Sequence, residues 1–206
     1  MSYFKKLGNI LAGNYSEIEA DGTYKATGTA TTFDDLLGDI TGVKTSWPWI
    51  TLNSVENKLD FVDTANLNDY AYFNYQLSHK WKLGSVVSPH IHYEQANSAT
   101  PNFMIQYRWQ RQGQIKTTDW TNLKINNNAF TWTTGMLNQI ADWDDITPPS
   151  GYGQVSDIIQ MRMLRDTDND SWLFTWADTY SWTVWVTSMD LHYECDTLWS
   201  RGEYTK

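Results

Sequence analysis

Short segments of alternating apolar and polar residues recur along this chain, and turn residues separate them. The clearest segment is 102–111, whose alternate apolar positions are Phe103, Ile105, Tyr107 and Trp109. A two-residue period is that of a β-strand with one buried face, because successive side chains on a strand point to opposite sides. The pattern predicts that the chain folds as β-sheet.

The same criterion predicts several more strands. They lie at 23–32, 69–77, 86–94, 130–133, 155–164, 172–176 and 181–195. The aromatic content, 12 Trp, 12 Tyr and 7 Phe, favours the same structure, since aromatic side chains pack well on a pleated surface. One helix is predicted at 135–146, where Leu137, Ile140 and Ala141 keep helical spacing before the prolines at 148 and 149.

Residues 1–30 show no sustained period and are predicted to form an N-terminal arm. Residues 31–206 are predicted to form a single domain. The predicted fold class is all-β: a jelly-roll-like β-sandwich with the N-terminal arm and at most one or two short helices.

Charge and motif content exclude several classes of function. A formal net charge of -9 argues against a nucleic-acid partner, which requires a basic face. No apolar run approaches the ~20 residues of a membrane span, so no membrane partner is expected. Cys195 is the sole cysteine, which excludes an intrachain disulfide and a cysteine-based metal site. Nucleotide-binding and nucleophile-elbow motifs are absent, so neither a cofactor nor a catalytic residue is predicted.

Three of the four histidines fall between residues 79 and 94, and two predicted strands carry polar side chains opposite their apolar row. If strands 86–94 and 181–195 pair, these side chains form one polar band. The polar band consists of His90, His92, Glu94, Asp190, His192 and Glu194. Contacts between imidazoles and carboxylates titrate near neutrality, so the band predicts pH-dependent stability.

The same histidines are candidate metal ligands. His90 and His92 share a strand face, as chelation of zinc or iron requires, and His192 is a candidate third ligand. A cupin-like enzyme would place its metal in this way. The glycine-rich spacing and second ligand box of cupins are missing, however, so hydrogen-bonded imidazoles without a metal are the favoured interpretation.

The strand at 69–77 is aromatic or apolar on both faces, which is typical of a strand inside a sandwich or at a subunit contact. The predicted interface residues are Tyr70, Tyr72, Phe73 and Tyr75. Some of the aromatic side chains could alternatively form a platform for a glycan, although aromatic residues also dominate cores and subunit contacts.

Four ordered segments resemble a family of structural proteins from the virions of tailed bacteriophages. They are FDDL at 33–36, HKWKLG at 79–84, PHIHY at 89–93, and residues 192–206 with their HY, DT and SRGEYTK motifs. The likeness covers roughly residues 31–206 and is weakest over 112–180. It implies a non-enzymatic virion protein that assembles in the host cytoplasm.

Within that resemblance, the expected role is head decoration or cement: an auxiliary capsid protein that stabilises the capsid surface. Its expected partners are the major capsid protein and further copies of itself, as a homotrimer. Two alternatives remain open. One is a tail-associated or receptor- and glycan-binding module, and the other is the cupin-like metal-dependent enzyme.

Overall fold

The computed structural model of this 206-residue protein describes eleven stretches of the chain. They are 6–18, 24–38, 40, 44–45, 50–63, 70–99, 101–114, 119–123, 137–140, 143–167 and 178–197. The strands predicted at 130–133 and 172–176 lie outside these residues. Within them, no helix is long and apolar enough to cross a membrane.

The described residues form fourteen strands and two short 3-10 helices, Ile10–Ala12 and Gly28–Ala30. The strands are β1 (Lys6–Asn9), β2 (Asn14–Ile18), β3 (Tyr24–Thr27), β4 (Thr32–Gly38), β5 (Lys44–Thr45), β6 (Ile50–Asn53), β7 (Lys58–Phe61), β8 (Ala71–Gln76), β9 (Val87–Glu94), β10 (Phe103–Gln110), β11 (Thr121–Leu123), β12 (Asn138–Ile140), β13 (Ile158–Arg165) and β14 (Val184–Cys195).

Two antiparallel sheets face each other. One has the order β11-β10-β13-β8-β5, and the other has the order β12-β9-β14-β7-β6, with β4 also pairing with β14. The chain crosses repeatedly between the two sheets. The six-stranded sheet contains β4, β6, β7, β9, β12 and β14, and the five-stranded sheet contains β5, β8, β10, β11 and β13. The predicted all-β, jelly-roll-like sandwich is confirmed.

The core lies between the sheets and is rich in aromatic rings. Phe103 of β10 packs edge-to-face against Phe61 of β7 and Tyr93 of β9, with centroids 5.7 and 5.9 Å away. The Tyr75 hydroxyl of β8 donates a hydrogen bond of 2.6 Å to the carbonyl of Met189 in β14. These contacts show which face of each strand packs in the core and which face is turned away from it.

The predicted interface on β8 needs correction. Phe73 and Tyr75 are buried in the core, whereas Tyr72 is half-buried on the opposite face, as is Tyr70 just before the strand. The strand alternates after all, because Asn74 and Gln76 occupy its outer face. Phe73 and Tyr75 therefore cannot form a subunit contact in this fold.

The N-terminal segment is more ordered than predicted. β1, β2 and β3 form a three-stranded antiparallel sheet; β3 falls within the strand predicted at 23–32, whereas β1 and β2 were not predicted. The amide of Ala26 donates a hydrogen bond of 2.7 Å to the carbonyl of Asp196, which ties this sheet to the end of β14. β1 and β2 carry too few residues for a sequence period to be recognised.

The helix predicted at 135–146 is wrong where the structure describes it. Residues 138–140 form β12, which pairs with β9 and buries Asn138 and Ile140 on either side of exposed Gln139. Pairing with a neighbouring strand outweighs a weak helical period of three apolar residues.

Candidate functional site

The predicted pairing of the two histidine-bearing strands is confirmed. β9 and β14 run antiparallel, with His90 opposite Asp190 and His192 opposite Ser88. Directly opposed residues in an antiparallel pair share a face, so the polar band lies together on the side turned away from the core. Its central residues form a compact group, which we call the histidine cluster: His90, His92, Asp190 and His192.

Asp190 is the centre of the histidine cluster, and its side chain is only 4% exposed. Its Oδ1 lies 3.2 Å from Nε2 of His92, and its Oδ2 lies 3.7 Å from Nε2 of His192. Ser188 donates a longer hydrogen bond of 3.4 Å to Oδ1. Among the described residues, the ion-pair partners of this carboxylate are histidines, which carry full positive charge only when protonated.

Two side chains that sequence reasoning did not assign to the site complete its surroundings. The register of β4 places Asp35 opposite His192, and Asp35 Oδ1 lies 2.8 Å from His192 Nε2. The amide nitrogen of Gln139, on β12, lies 3.0 Å from Nδ1 of His90. Asp35 belongs to the FDDL segment of the family resemblance, but nothing in the sequence indicated its strand partner.

His90 and His192 are in direct contact, with ring centroids 3.6 Å apart in an edge-to-face arrangement. Burial lowers the pKa of His90 from its ordinary value, and the neighbouring His192 lowers it further, whereas Asp190 opposes the change. Protonation of His90 is therefore disfavoured in the folded protein.

The two glutamates at the ends of the polar band do not join the histidine cluster. Glu94 lies 3.0 Å from the Lys58 ammonium. Glu194 lies 2.9 Å from the Lys82 ammonium and accepts a hydrogen bond of 2.8 Å from Thr31. Burial acts to raise the pKa of Glu194, but the hydrogen bonds from Lys82 and Thr31 leave it lowered.

A pH dependence of stability follows from His90. Its pKa in the folded protein lies below its ordinary value of 6.5, so below about that pH the unfolded chain binds more protons than the folded one. The free energy of unfolding should therefore fall as the pH drops from about 7.5 to about 5.5. Urea denaturation in the presence of a chelator measures this change. H90Q should flatten the profile, whereas H79Q should retain it; equal profiles for wild type and H90Q would contradict the assignment.

β14 contains a β-bulge, which changes the face on which its first side chains lie. Val186 pairs with Tyr93 and Ser188 pairs with His92, so Thr187 is an extra residue between them. The Thr187 hydroxyl donates a hydrogen bond of 3.1 Å to the carbonyl of His92. An unbroken alternation over the predicted strand 181–195 puts Trp185 on the same face as Met189, Leu191 and Tyr193. Because the bulge shifts the alternation by one residue, Trp185 lies opposite Glu94 instead.

The outer face of the five-stranded sheet holds a second candidate site, which we call the aromatic–arginine face. It consists of Tyr70, Tyr72, Arg108, Trp120 and Arg162. The Arg162 guanidinium lies 3.9 Å from the Tyr70 ring centroid and 4.4 Å from that of Trp120, and Arg108 lies 4.4 Å from Trp120. Cation–π contacts of this kind hold the rings in fixed positions.

Amide side chains fix the two arginines of this face. Arg108 donates a hydrogen bond to Gln160 and Arg162 donates one to Gln106, with N–O distances of 2.8 and 2.5 Å. The alternation of β10 correctly predicted that Gln106 and Arg108 point away from the core. The sequence did not reveal that Trp120 would lie against them, because that contact depends on how β11 pairs with β10.

FDDL, HKWKLG, PHIHY and the described part of segment 192–206 meet at one corner of the six-stranded sheet. β14 pairs with β4 on one side and β9 on the other. The HKWKLG segment joins them: the amide of Lys82 donates to the carbonyl of Glu194 at 2.8 Å, and the Lys80 ammonium lies 3.6 Å from Asp34. Residues 198–206 of the fourth segment lie outside the described residues.

No family model and no curated protein matches this chain. Among solved structures, it is similar to a carbohydrate-binding module, TmCBM61, in complex with β-1,4-galactotriose. The two are 11% identical, the match covers 80% of this chain and 88% of the module, and the TM-score is 0.28. At that TM-score the similarity carries no argument about function.

Proposed function

We propose that this protein is a non-enzymatic structural component of a bacteriophage particle, where it acts as an auxiliary protein on the outer surface of the head. The observation that supports this most is the convergence of the four family-like segments. Residues as far apart in the chain as 33 and 197 contribute to this corner. The similar segments therefore belong to one part of the structure and are not short matches scattered over it.

The same corner offers a contact surface. Phe33 and Leu37 of β4 are 72% and 76% exposed, and their register opposite Glu194 and Asp190 places them on the outer face beside Asp35. Exposed apolar side chains that are grouped on one face can mark contacts with other proteins, and Phe33 and Leu37 share one face of β4. We assign the contact with the capsid or with further copies of this protein to Phe33 and Leu37, in place of Phe73 and Tyr75.

Protein quantification on purified phage particles tests this role. A head-surface protein should be present in a copy number comparable to that of the major capsid protein, and it should co-purify with heads separated from tails. A few copies per particle would place it on the tail instead. Its absence from the particles would overturn the proposal.

A second candidate function, glycan binding, is favoured by the aromatic–arginine face. Aromatic rings stack on sugar rings, while amide and guanidinium groups hydrogen-bond to sugar hydroxyls. Trp120, Arg108 and Arg162 bring both kinds of group together, and Gln106 and Gln160 hold the arginines in place. This function is compatible with a protein exposed on a particle surface.

Substitution of Trp120 tests the glycan site. If a polysaccharide from the host surface binds there, W120A should weaken binding about tenfold, equivalent to ~1.4 kcal/mol. Isothermal titration against a panel of such polysaccharides measures the affinity. W182A is the matched control, because Trp182 is 61% exposed and is not part of this face. Equal losses in both variants, or no binding by the wild type, would remove this function.

A further inference from the structure

We propose that His90, Asp190 and His192 bind a divalent transition-metal ion, with zinc as the preferred ion. One ligand atom from each of the three side chains lies within 4.8 Å of the others. This binding site does not depend on whether the protein belongs to a phage particle.

The donor set suits zinc. Two imidazoles and one carboxylate are ligand types that zinc accepts, with bonds of about 2.0–2.2 Å. With bonds of that length, the ligand atoms of a tetrahedral site are separated by roughly 3.3–3.5 Å. Small side-chain rotations would therefore draw the three donors inward around an ion.

Asp35 is a candidate fourth ligand. Its Oδ1 already lies 2.8 Å from Nε2 of His192, and it approaches from β4, whereas the other donors come from β9 and β14. An ion held by all four side chains would join three neighbouring strands. His192 and Asp35 are 37% and 46% exposed, so an ion can reach the site from solvent.

Electrostatics provide an independent argument. Asp190 is a nearly fully buried carboxylate, and its ion-pair partners in the described part of the chain are imidazoles. Asp35 adds a second carboxylate next to His192. If the imidazoles are neutral, the hydrogen bonds to Asp190 bring no full positive charge to it, and burying a carboxylate without an opposite charge is costly. A divalent ion would neutralise both carboxylates.

Gln139 supplies the outer support that metal-bound histidines usually have. Its amide nitrogen lies 3.0 Å from Nδ1 of His90, so the amide reaches this ring atom, and Nε2 is the atom left to bind an ion once Nδ1 carries the proton. The amide can accept the Nδ1 proton through its oxygen when that atom faces the ring. Hydrogen bonds of this type fix the tautomer and the orientation of a ligating imidazole.

Zinc titration of chelator-treated protein tests the site. Isothermal titration should show one zinc ion per chain, and zinc should raise the thermal unfolding temperature because it binds only the folded state. H192Q should weaken zinc binding by more than about tenfold and abolish the thermal shift. His192 is partly exposed, so this variant should fold, and circular dichroism would verify that it does.

The matched control is H79Q. His79 hydrogen-bonds to Ser156 and does not belong to the histidine cluster, so its substitution should leave zinc binding unchanged. D35N should weaken binding less than H192Q, because D35N keeps all three proposed ligands, His90, Asp190 and His192, whereas H192Q removes one of them. The proposal is overturned if wild-type protein binds neither zinc nor cobalt, or if H192Q binds zinc as tightly as wild type does.

Discussion

Replacing Arg165 with methionine should lower the free energy of unfolding by about 3–5 kcal/mol, because it leaves Asp178 as an unpaired buried charge. Arg165 is fully buried at the end of β13, and its guanidinium makes two hydrogen bonds to the Asp178 carboxylate, at 2.8 and 3.1 Å. Methionine fills much of the same volume, so the expected loss reports the polar contacts of Arg165 rather than a cavity. Urea denaturation of the wild type and R165M measures the difference.

The size of this effect follows from how completely the pair is satisfied. Arg165 also donates to the carbonyls of Phe61, Trp182 and Tyr180, so its removal deletes these three hydrogen bonds as well. The control is K80M, since the Lys80–Asp34 pair has a longer separation of 3.6 Å and both side chains are nearly half exposed. K80M should cost less than about 1 kcal/mol. Similar losses in R165M and K80M would contradict this account.

Replacing Trp81 with alanine should lower the free energy of unfolding by about 3–5 kcal/mol, the usual cost of removing a large buried aromatic side chain. Trp81 is fully buried and forms a β-bridge with Cys195, so it anchors the HKWKLG segment against β14. Thermal or urea unfolding of W81A measures the loss.

Two further variants separate packing from other causes of the Trp81 effect. W81F should cost much less than W81A, because the buried indole nitrogen has no hydrogen-bond partner among the described residues. W182A should change stability by no more than about 0.5 kcal/mol, since Trp182 is exposed. A W81A protein as stable as the wild type would show that the HKWKLG segment is not needed to hold the corner together.

The sequence predicted the strands with the longest alternation and, apart from β14 before its bulge, the face that each one buries. β9 and β10 were predicted nearly to their ends, because eight-residue strands repeat the two-residue period several times. The pairing of β9 with β14 was inferred from matching polar residues, and that inference is confirmed. The predicted pairing placed His90, His92, His192 and Asp190 on one face of the sheet, where the structure has them.

The sequence failed where structure depends on partners that are distant in the chain. Asp35 could be placed beside His192 only after β4 was known to pair with β14, across more than 150 residues. The Arg165–Asp178 pair had no pattern to indicate it, since both residues look like solvent-exposed charges in the sequence. The bulge at Thr187 was equally hidden, because a single inserted residue leaves the composition of a strand unchanged.

The bulge at Thr187 divides β14 into two parts with opposite phase. Before the bulge, Val184 and Val186 point into the core; after it, Met189 and Leu191 do, which leaves Asp190 and His192 facing outward. A strand without the extra residue could satisfy only one of these two sets, because a shift of one residue exchanges the faces. The extra residue therefore lets β14 contribute to the aromatic core on both sides of the bulge while Asp190 and His192 remain on the outer face.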